Sequence, residues 1–208
     1  MQIKLSNKER GIFIFQLDQN NYIKFCPERG GVITNWVSEG KEILYFDEKR
    51  FMDKTKSIRG GIPILFPICG NLHTSSSVFG KDYLQLKQHG FARDLEWQYT
   101  FNENEKSLCL FLNESEKTKK YYPFDFELKI EVTLKINCLE FEITIHNKTD
   151  IEMPINFGLH PYFKISDFKN LEFIDNPLNC QNQEKNIISN TLDELKNINL
   201  GVDLLMYT

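Results

Sequence analysis

The segment FDFELKIEVTLKI, residues 124–136, alternates apolar and polar side chains at every position. Alternation over such a length is typical of a β-strand that buries one face and exposes the other. A short turn follows, and residues 139–146, LEFEITIH, continue the pattern. The two segments are therefore predicted to form a long antiparallel hairpin. His146 falls on its polar side, where a solvated surface histidine is expected.

Shorter strand signals occupy most of the remaining chain. The only helix candidate is residues 190–196, and Ala92 is the single alanine among 17 Phe and 8 Tyr, a composition that favours strands over helices. Many antiparallel strands with one solvated face predict an all-β fold, either a β-sandwich or an open barrel. Without a repeat or linker, residues 1–208 are expected to form a single domain. The shorter strands are predicted at residues 11–17, 21–25, 32–37, 42–46, 97–101 and 108–112.

Composition and charge exclude several classes of protein. The net charge is −4 and the sequence pI about 5.7, so the chain lacks the basic character of a non-specific nucleic-acid binder. No apolar run approaches the ~18 residues that a membrane span requires, and the polar, charged start does not resemble a signal peptide. The five cysteines include no CxxC pair. We expect a reduced cytoplasmic protein with unpaired thiols, and neither nucleic acid nor membrane among its partners.

A proline-rich apolar segment interrupts the strand pattern. Residues 57–72, SIRGGIPILFPICGNL, are apolar but contain two prolines and several glycines. Proline removes a donor from a β-ladder, so the segment cannot be a central strand throughout. It is predicted to be an ordered, partly buried loop, and ordered loops of this kind often form functional sites.

Two of the four histidines lie in unusual local sequences. His89 lies in QHGFAR, residues 88–93, where a glycine and the lone alanine permit close approach of the backbone. His160 lies in NFGLHPYF, residues 156–163, where the following proline favours an extended backbone and aromatic side chains flank the imidazole. Taken alone, each histidine is more simply interpreted as a core residue with one backbone hydrogen bond.

The sequence contains no recognisable metal or nucleotide site. The histidines are not spaced for joint ligation from one element, and no cysteine pair assists them. There is no P-loop, dinucleotide fingerprint or G-x-S-x-G motif. We therefore predict no metal ion.

Four motifs in a fixed order carry a family resemblance: RGGIPILFP (residues 59–67), QHGFAR (88–93), GLHPYF (158–163) and GVDLL (201–205). Together they resemble the aldose 1-epimerase (galactose mutarotase-like) superfamily, and most closely its hexose-6-phosphate mutarotase, or glucose-6-phosphate 1-epimerase, branch. The resemblance extends over essentially the whole chain and implies a large antiparallel β-sandwich of the supersandwich type. It also implies interconversion of the α and β anomers of a hexose or hexose 6-phosphate by acid–base ring opening, without a cofactor.

The resemblance assigns roles to individual residues. His160 corresponds to the acid that protonates the ring oxygen, and His89 to a histidine that contacts the sugar. Asp203 corresponds to an aspartate that holds ring hydroxyls. Arg59 and Arg93 are expected near the phosphate of a phosphosugar, since guanidinium groups bind phosphate oxygens in a bidentate manner.

The resemblance places the catalytic base on a glutamate beyond the GVDLL motif, whereas Glu172, Glu184 and Glu194 all precede Asp203. We therefore expect that the family's C-terminal segment is missing here. Residues 204–206 are predicted to form an apolar strand. An exposed apolar edge favours aggregation, so we expect the missing segment or another chain to cover this edge. Two alternatives to the isomerase stay open: a non-catalytic carbohydrate-binding domain on the same fold, and an inactive gene fragment.

Overall fold

Antiparallel β-strands dominate the regular secondary structure of the protein. The chain divides into two units with dense internal contacts, Met1–Lys164 and Ile165–Thr208. The single domain expected over residues 1–208 stays a prediction. The structure, a computed structural model, describes residues 2–7, 11–72, 86–102, 105–167, 179–182, 185, 187–195 and 204–206.

The strands of the first unit are β1 (Gln2–Asn7), β2 (Ile12–Gln16), β3 (Tyr22–Cys26), β4 (Val32–Ser38), β5 (Lys41–Glu42), β6 (Ile64–Leu65), β7 (Gln98–Asn102), β8 (Ser107–Asn113), β9 (Phe126–Lys135), β10 (Cys138–Asn147) and β11 (Gly158–Leu159). Within the described residues of the second unit, the strands are β12 (Asn179–Asn182), β13 (Ile187–Asn190) and β14 (Leu204–Met206). The helices are α1 (Glu48–Met52), α2 (Glu116–Lys119) and α3 (Thr191–Leu195), and Ala92–Asp94 form a 3₁₀ turn.

The hairpin predicted from the alternating segment is confirmed as β9 and β10. The two strands pair antiparallel from Phe126 opposite Asn147 to Lys135 opposite Cys138. Every second side chain of β9 is buried and apolar, and the apolar side chains of β10 pack against the same core. The side chain of His146 is exposed, as predicted.

Two antiparallel sheets pack face to face in the first unit. Strands β1 to β5 form one sheet in sequential order, and β7 to β10 form the other. The ring centroids of Phe13 and Tyr99 lie 4.9 Å apart across the interface, and those of Phe15 and Phe101 lie 5.7 Å apart. The main hydrophobic core contains side chains of both sheets, and full burial of one large apolar side chain contributes about 1.5–3 kcal/mol. The predicted all-β sandwich is confirmed.

The strand predicted at residues 42–46 is shorter than expected, because a side-chain carboxylate accepts backbone hydrogen bonds in place of a strand carbonyl. Regular pairing ends at Glu42, whose carboxylate accepts hydrogen bonds from the backbone N–H groups of Trp36 (3.1 Å) and Leu44 (3.3 Å). Single bridges follow, which pair Leu44 with Phe163 and Phe46 with Gly60.

Two short helices were not predicted, whereas α3 confirms the helix expected at residues 190–196. At the start of α1, the Asp47 side chain accepts a hydrogen bond from the N–H of Arg50 (2.9 Å). α2 begins with a capping box formed by Ser115 and Thr118. Both are too short to show a helical apolar period. Among the described residues, no helix has the length and apolar character needed to cross a membrane.

The second unit contains a small sheet in which β12 pairs with β13 on one side and β14 on the other. The strand predicted at residues 204–206 is therefore confirmed, and one of its edges is paired. The buried carboxylate of Glu194 in α3 accepts hydrogen bonds from Asn182 (2.7 Å) and Ser189 (2.8 Å), which fastens the helix to this sheet.

Candidate active site

His160 lies on an extended segment that pairs with the proline-rich segment, residues 57–72. Proline has no N–H to donate, so at Pro63 and Pro67 the hydrogen bonds run from the His160 segment to the proline-rich segment. Regular strand pairing between the two segments is confined to β6 and β11. The predicted ordered, partly buried loop is confirmed, since residues 60–67 are buried. Three backbone bonds extend the ladder beyond these strands: Asn156 N–H to Pro67 O (2.8 Å), His160 N–H to Pro63 O (3.0 Å) and Tyr162 N–H to Gly61 O (2.9 Å).

The two faces of this extended segment differ. Phe157 and Leu159 pack against the hydrophobic core. Side chains alternate along an extended chain, so His160 and Tyr162 project on the other side. The His160 side chain is exposed, and its ring stacks on that of Tyr162 with centroids 4.9 Å apart. The core interpretation of His160 is therefore wrong.

His89 is fixed by two hydrogen bonds to a single residue, Gly70. The N–H of His89 donates to the carbonyl oxygen of Gly70 (2.8 Å), and the N–H of Gly70 donates to the imidazole Nδ1 of His89 (2.9 Å). The backbone φ of His89 is +67°, a left-handed value that non-glycine residues seldom adopt. The half-buried imidazole is thus held in one orientation.

Gly90 lets the QHGFAR motif pack closely against the proline-rich segment at Phe66. A Cβ atom at this position would lie 2.2 Å from the carbonyl oxygen of Phe66, so only glycine fits. The same oxygen accepts hydrogen bonds from the N–H groups of Phe91 (3.0 Å) and Ala92 (3.2 Å). The close backbone approach predicted for this motif is confirmed.

These two anchored segments bring the two candidate histidines together. The ring centroids of His89 and His160 lie 5.9 Å apart, with the planes at 74°. Cys69 lies against β11, because its Sγ would be 2.8 Å from a Cβ atom built on Gly158. Burial raises the pKa of the Cys69 thiol, which keeps it protonated near neutral pH. All five cysteines are free, as predicted.

The two arginines differ in their relation to the histidines. Arg93 Nη2 donates to the carbonyl oxygen of Gln88 (2.8 Å), so the guanidinium of Arg93 folds back on the first residue of its own QHGFAR motif, the residue before His89. The Arg59 side chain is exposed and, within the described residues, forms no hydrogen bond to either histidine. Asp203 lies outside the described residues, so its role stays a prediction.

Residues important to this geometry were missed by sequence reasoning. Tyr162 could have been identified, because it follows His160 by two positions in an extended segment and so shares its face. Gly70 and Cys69 gave no local signal, since their contacts with His89 and Gly158 join distant parts of the chain. Among the residues that the structure describes, no three His, Cys, Asp or Glu side chains converge in a way that would hold a metal ion.

Comparison with known proteins gives one family. The family model described as aldose 1-epimerase matches residues 14–197. A Salmonella typhimurium protein named "Putative glucose-6-phosphate 1-epimerase" is 30% identical over 148 residues, which cover 69% of this chain and 46% of that protein. A protein of the same name from Cenchrus ciliaris is 29% identical over 167 residues, 71% of this chain and 47% of that protein. The chain thus spans about half the length of the curated relatives it matches.

Solved structures share the fold. The Slr1438 protein from Synechocystis sp. PCC 6803 superposes with a TM-score of 0.80 and 36% identity, over 91% of this chain and 67% of that chain. A galactose mutarotase-like protein from Lactobacillus casei ATCC 334 superposes with a TM-score of 0.62 over 75% of this chain and 51% of that chain; at 24% identity it supports the fold alone. Because the family model matches well over half of the residues, the chain belongs to the aldose 1-epimerase family.

Proposed function

We propose that this protein is an isomerase that interconverts the α and β anomers of a hexose or hexose 6-phosphate. One observation carries the proposal: the imidazoles of His89 and His160 lie 5.9 Å apart, and the His160 side chain is open to solvent. Two ring systems at this distance can both contact one small polar ligand. Family membership makes a sugar the expected ligand.

The reaction is acid–base chemistry on the sugar ring. Ring opening requires that a proton leave the C1 hydroxyl and that another reach the ring oxygen; rotation about C1–C2 and reclosure then give the other anomer. His160 is the proposed acid at the ring oxygen, because an imidazole exchanges protons near neutral pH. His89 is proposed to contact the sugar. We assign the base to none of the described residues, and the proposed chemistry requires no cofactor.

Two features support a phosphosugar as substrate. The relatives from Salmonella typhimurium and Cenchrus ciliaris carry glucose 6-phosphate in their names. In this chain, Arg93 lies beside the loop of His89, and Arg59 is an exposed cation on the proline-rich segment. Guanidinium groups bind phosphate oxygens through paired N–H donors.

NMR exchange spectroscopy between the anomers of glucose 6-phosphate, and separately of glucose, tests the proposal. We expect faster exchange with the protein than in the same buffer alone. His160→Gln should reduce the accelerated rate by about 10²–10⁴-fold, the usual contribution of a general acid. His146→Gln is the matched control, because His146 is exposed on β10 and has no role in the proposed reaction.

Two results would contradict the proposal. If neither sugar exchanges faster than in buffer, the isomerase activity is wrong for this chain; sugar binding under the same conditions would then favour a carbohydrate-binding domain. If His160→Gln and His146→Gln have the same rate as the unmodified chain, His160 is not the acid. Circular dichroism of both variants shows whether the fold is kept.

A further inference from the structure

The hydrogen bonds between His89 and Gly70 determine where the imidazole proton resides. A peptide N–H can only donate, and the Gly70 N–H lies 2.9 Å from Nδ1 of His89. Nδ1 must therefore offer its lone pair. In a neutral imidazole one nitrogen accepts and the other carries the proton, so the proton of His89 lies on Nε2.

We propose that Gly70 is a positioning residue that holds His89 as the neutral Nε2–H tautomer. His89 then acts as a fixed hydrogen-bond donor to the sugar, and His160 is left as the histidine that transfers the proton. The inference rests on the proposed function for the identity of the ligand. The tautomer itself follows from the contacts of the protein alone.

The contact with Gly70 disfavours a second proton on the His89 ring. Protonation of Nδ1 would point two donors at each other, because the Gly70 N–H already occupies that lone pair. The exposed ring of His160, whose centroid lies 5.9 Å from that of His89, is then the one left for proton transfer in the proposed reaction.

The backbone shows that this arrangement is retained against a conformational cost. His89 has φ of +67° and Gly70 has φ of +83°, both left-handed. A Cβ atom on Gly70 would meet nothing within 4 Å, so the glycine is required by its backbone angle and not by lack of space. The left-handed region is uncommon for residues other than glycine, and backbone conformations of this kind are concentrated at functional sites.

Two variants separate the Gly70 contact from the Nε2 donor. In His89→Asn, the side-chain Oδ1 replaces Nδ1 as acceptor for Gly70, and asparagine tolerates positive φ, but the Nε2 donor is lost. In His89→Gln, the amide nitrogen restores a donor at the Nε2 position, but the acceptor at the Nδ1 position is absent. We expect His89→Asn to fold as well as the parent and to lose about tenfold or more in kcat/KM. His89→Gln should retain more of the activity with a less ordered loop.

The direct test is ¹⁵N NMR of the histidine rings in the sugar-free, full chain at neutral pH, with His89→Gln used to assign the signals. We expect His89 to show an unprotonated Nδ1 and a protonated Nε2, and the Gly70 amide signal to shift when His89 is replaced. An Nδ1–H tautomer, or a rapid mixture of both tautomers, would overturn the inference. The tautomer is measured without sugar, so an inactive chain with the expected tautomer contradicts only the proposed function. An active chain with the Nδ1–H form contradicts only the inference.

Discussion

The imidazole of His160 stacks on the ring of Tyr162, with centroids 4.9 Å apart and the planes within 26° of parallel. The backbone bonds of both residues to the proline-rich segment keep the two rings in register. Tyr162 therefore supports the proposed acid by fixing the orientation of its ring.

Replacement of Tyr162 should separate the ring from its hydroxyl. Tyr162→Phe keeps the stack, and we expect its kcat to stay close to that of the parent. Tyr162→Leu removes the aromatic face and should lower kcat by about two- to tenfold, because an aromatic pair contributes about 0.5–1.5 kcal/mol beyond its burial. Steady-state anomerisation rates measure both. Equal losses in the two variants would show that the hydroxyl, and not the stack, matters.

Gly158 and Cys69 should show energetic coupling. A Cβ atom on Gly158 would lie 2.8 Å from Cys69 Sγ, which is closer than van der Waals contact allows. Gly158→Ala should destabilise the protein by about 1 kcal/mol, the lower end of overpacking costs, because the thiol can rotate aside. Urea unfolding measures the change.

The matched control for this pair is Cys69→Ala, which removes the sulfur. In the double variant Gly158→Ala/Cys69→Ala, the cost of the added methyl group should largely disappear, so the double-mutant cycle gives a favourable interaction term. Additive effects of the two substitutions would contradict the predicted contact.

The strand pattern was predictable because it is local. In β9 each residue contributes to one face or the other, and the buried face follows directly from the alternation of apolar side chains. The length of β5 was not predictable, because it depends on which backbone donors the Glu42 carboxylate captures. One-turn helices such as α1 are set by a single capping contact, here from Asp47, which the apolar pattern does not show.

The candidate site was predictable only in its residue types. The motifs singled out His89 and His160, and the structure brings their rings together. Their mutual distance depends on the pairing of three separated segments, and the contact of His89 with Gly70 spans nineteen positions. Non-local geometry of this kind cannot be read from local sequence, and for the same reason the relation of Arg59 to a phosphate stays a prediction.

Arg59→Ala should discriminate between phosphorylated and free sugars. If the exposed guanidinium contacts the phosphate, its loss should raise KM for glucose 6-phosphate by about tenfold or more, as for a hydrogen bond to a charged group. Glucose should be unaffected. Arg59→Lys is the matched control, since it keeps the charge but loses bidentate geometry, and it should have an intermediate KM. Equal effects on both sugars would contradict a phosphate contact.

Glu131 on β9 should make stability depend on pH in the acid range. Hydrogen bonds from the Lys129 ammonium (2.7 Å) and then from the Ser107 hydroxyl lower the pKa of this carboxyl below its ordinary value of 4.5. Only 13% of the Glu131 side chain is exposed. Above pH 4.5 the carboxylate is ionised in both folded and unfolded chains, so its contribution to stability is fully present.

As the pH falls below 4.5, the unfolded chain binds the proton first, and this contribution is lost by the time the pH has passed through the lower folded pKa. Glu131→Gln should therefore lower the free energy of unfolding at pH 7 by about 1 kcal/mol and make it fall less steeply below pH 4.5. Urea unfolding between neutral and acid pH measures both effects. Glu140→Gln is the control, because the pair of Glu140 with Lys135 is half exposed and should contribute little. Parallel pH profiles for the parent and Glu131→Gln would show that the Glu131 contacts do not lower its pKa in the folded chain.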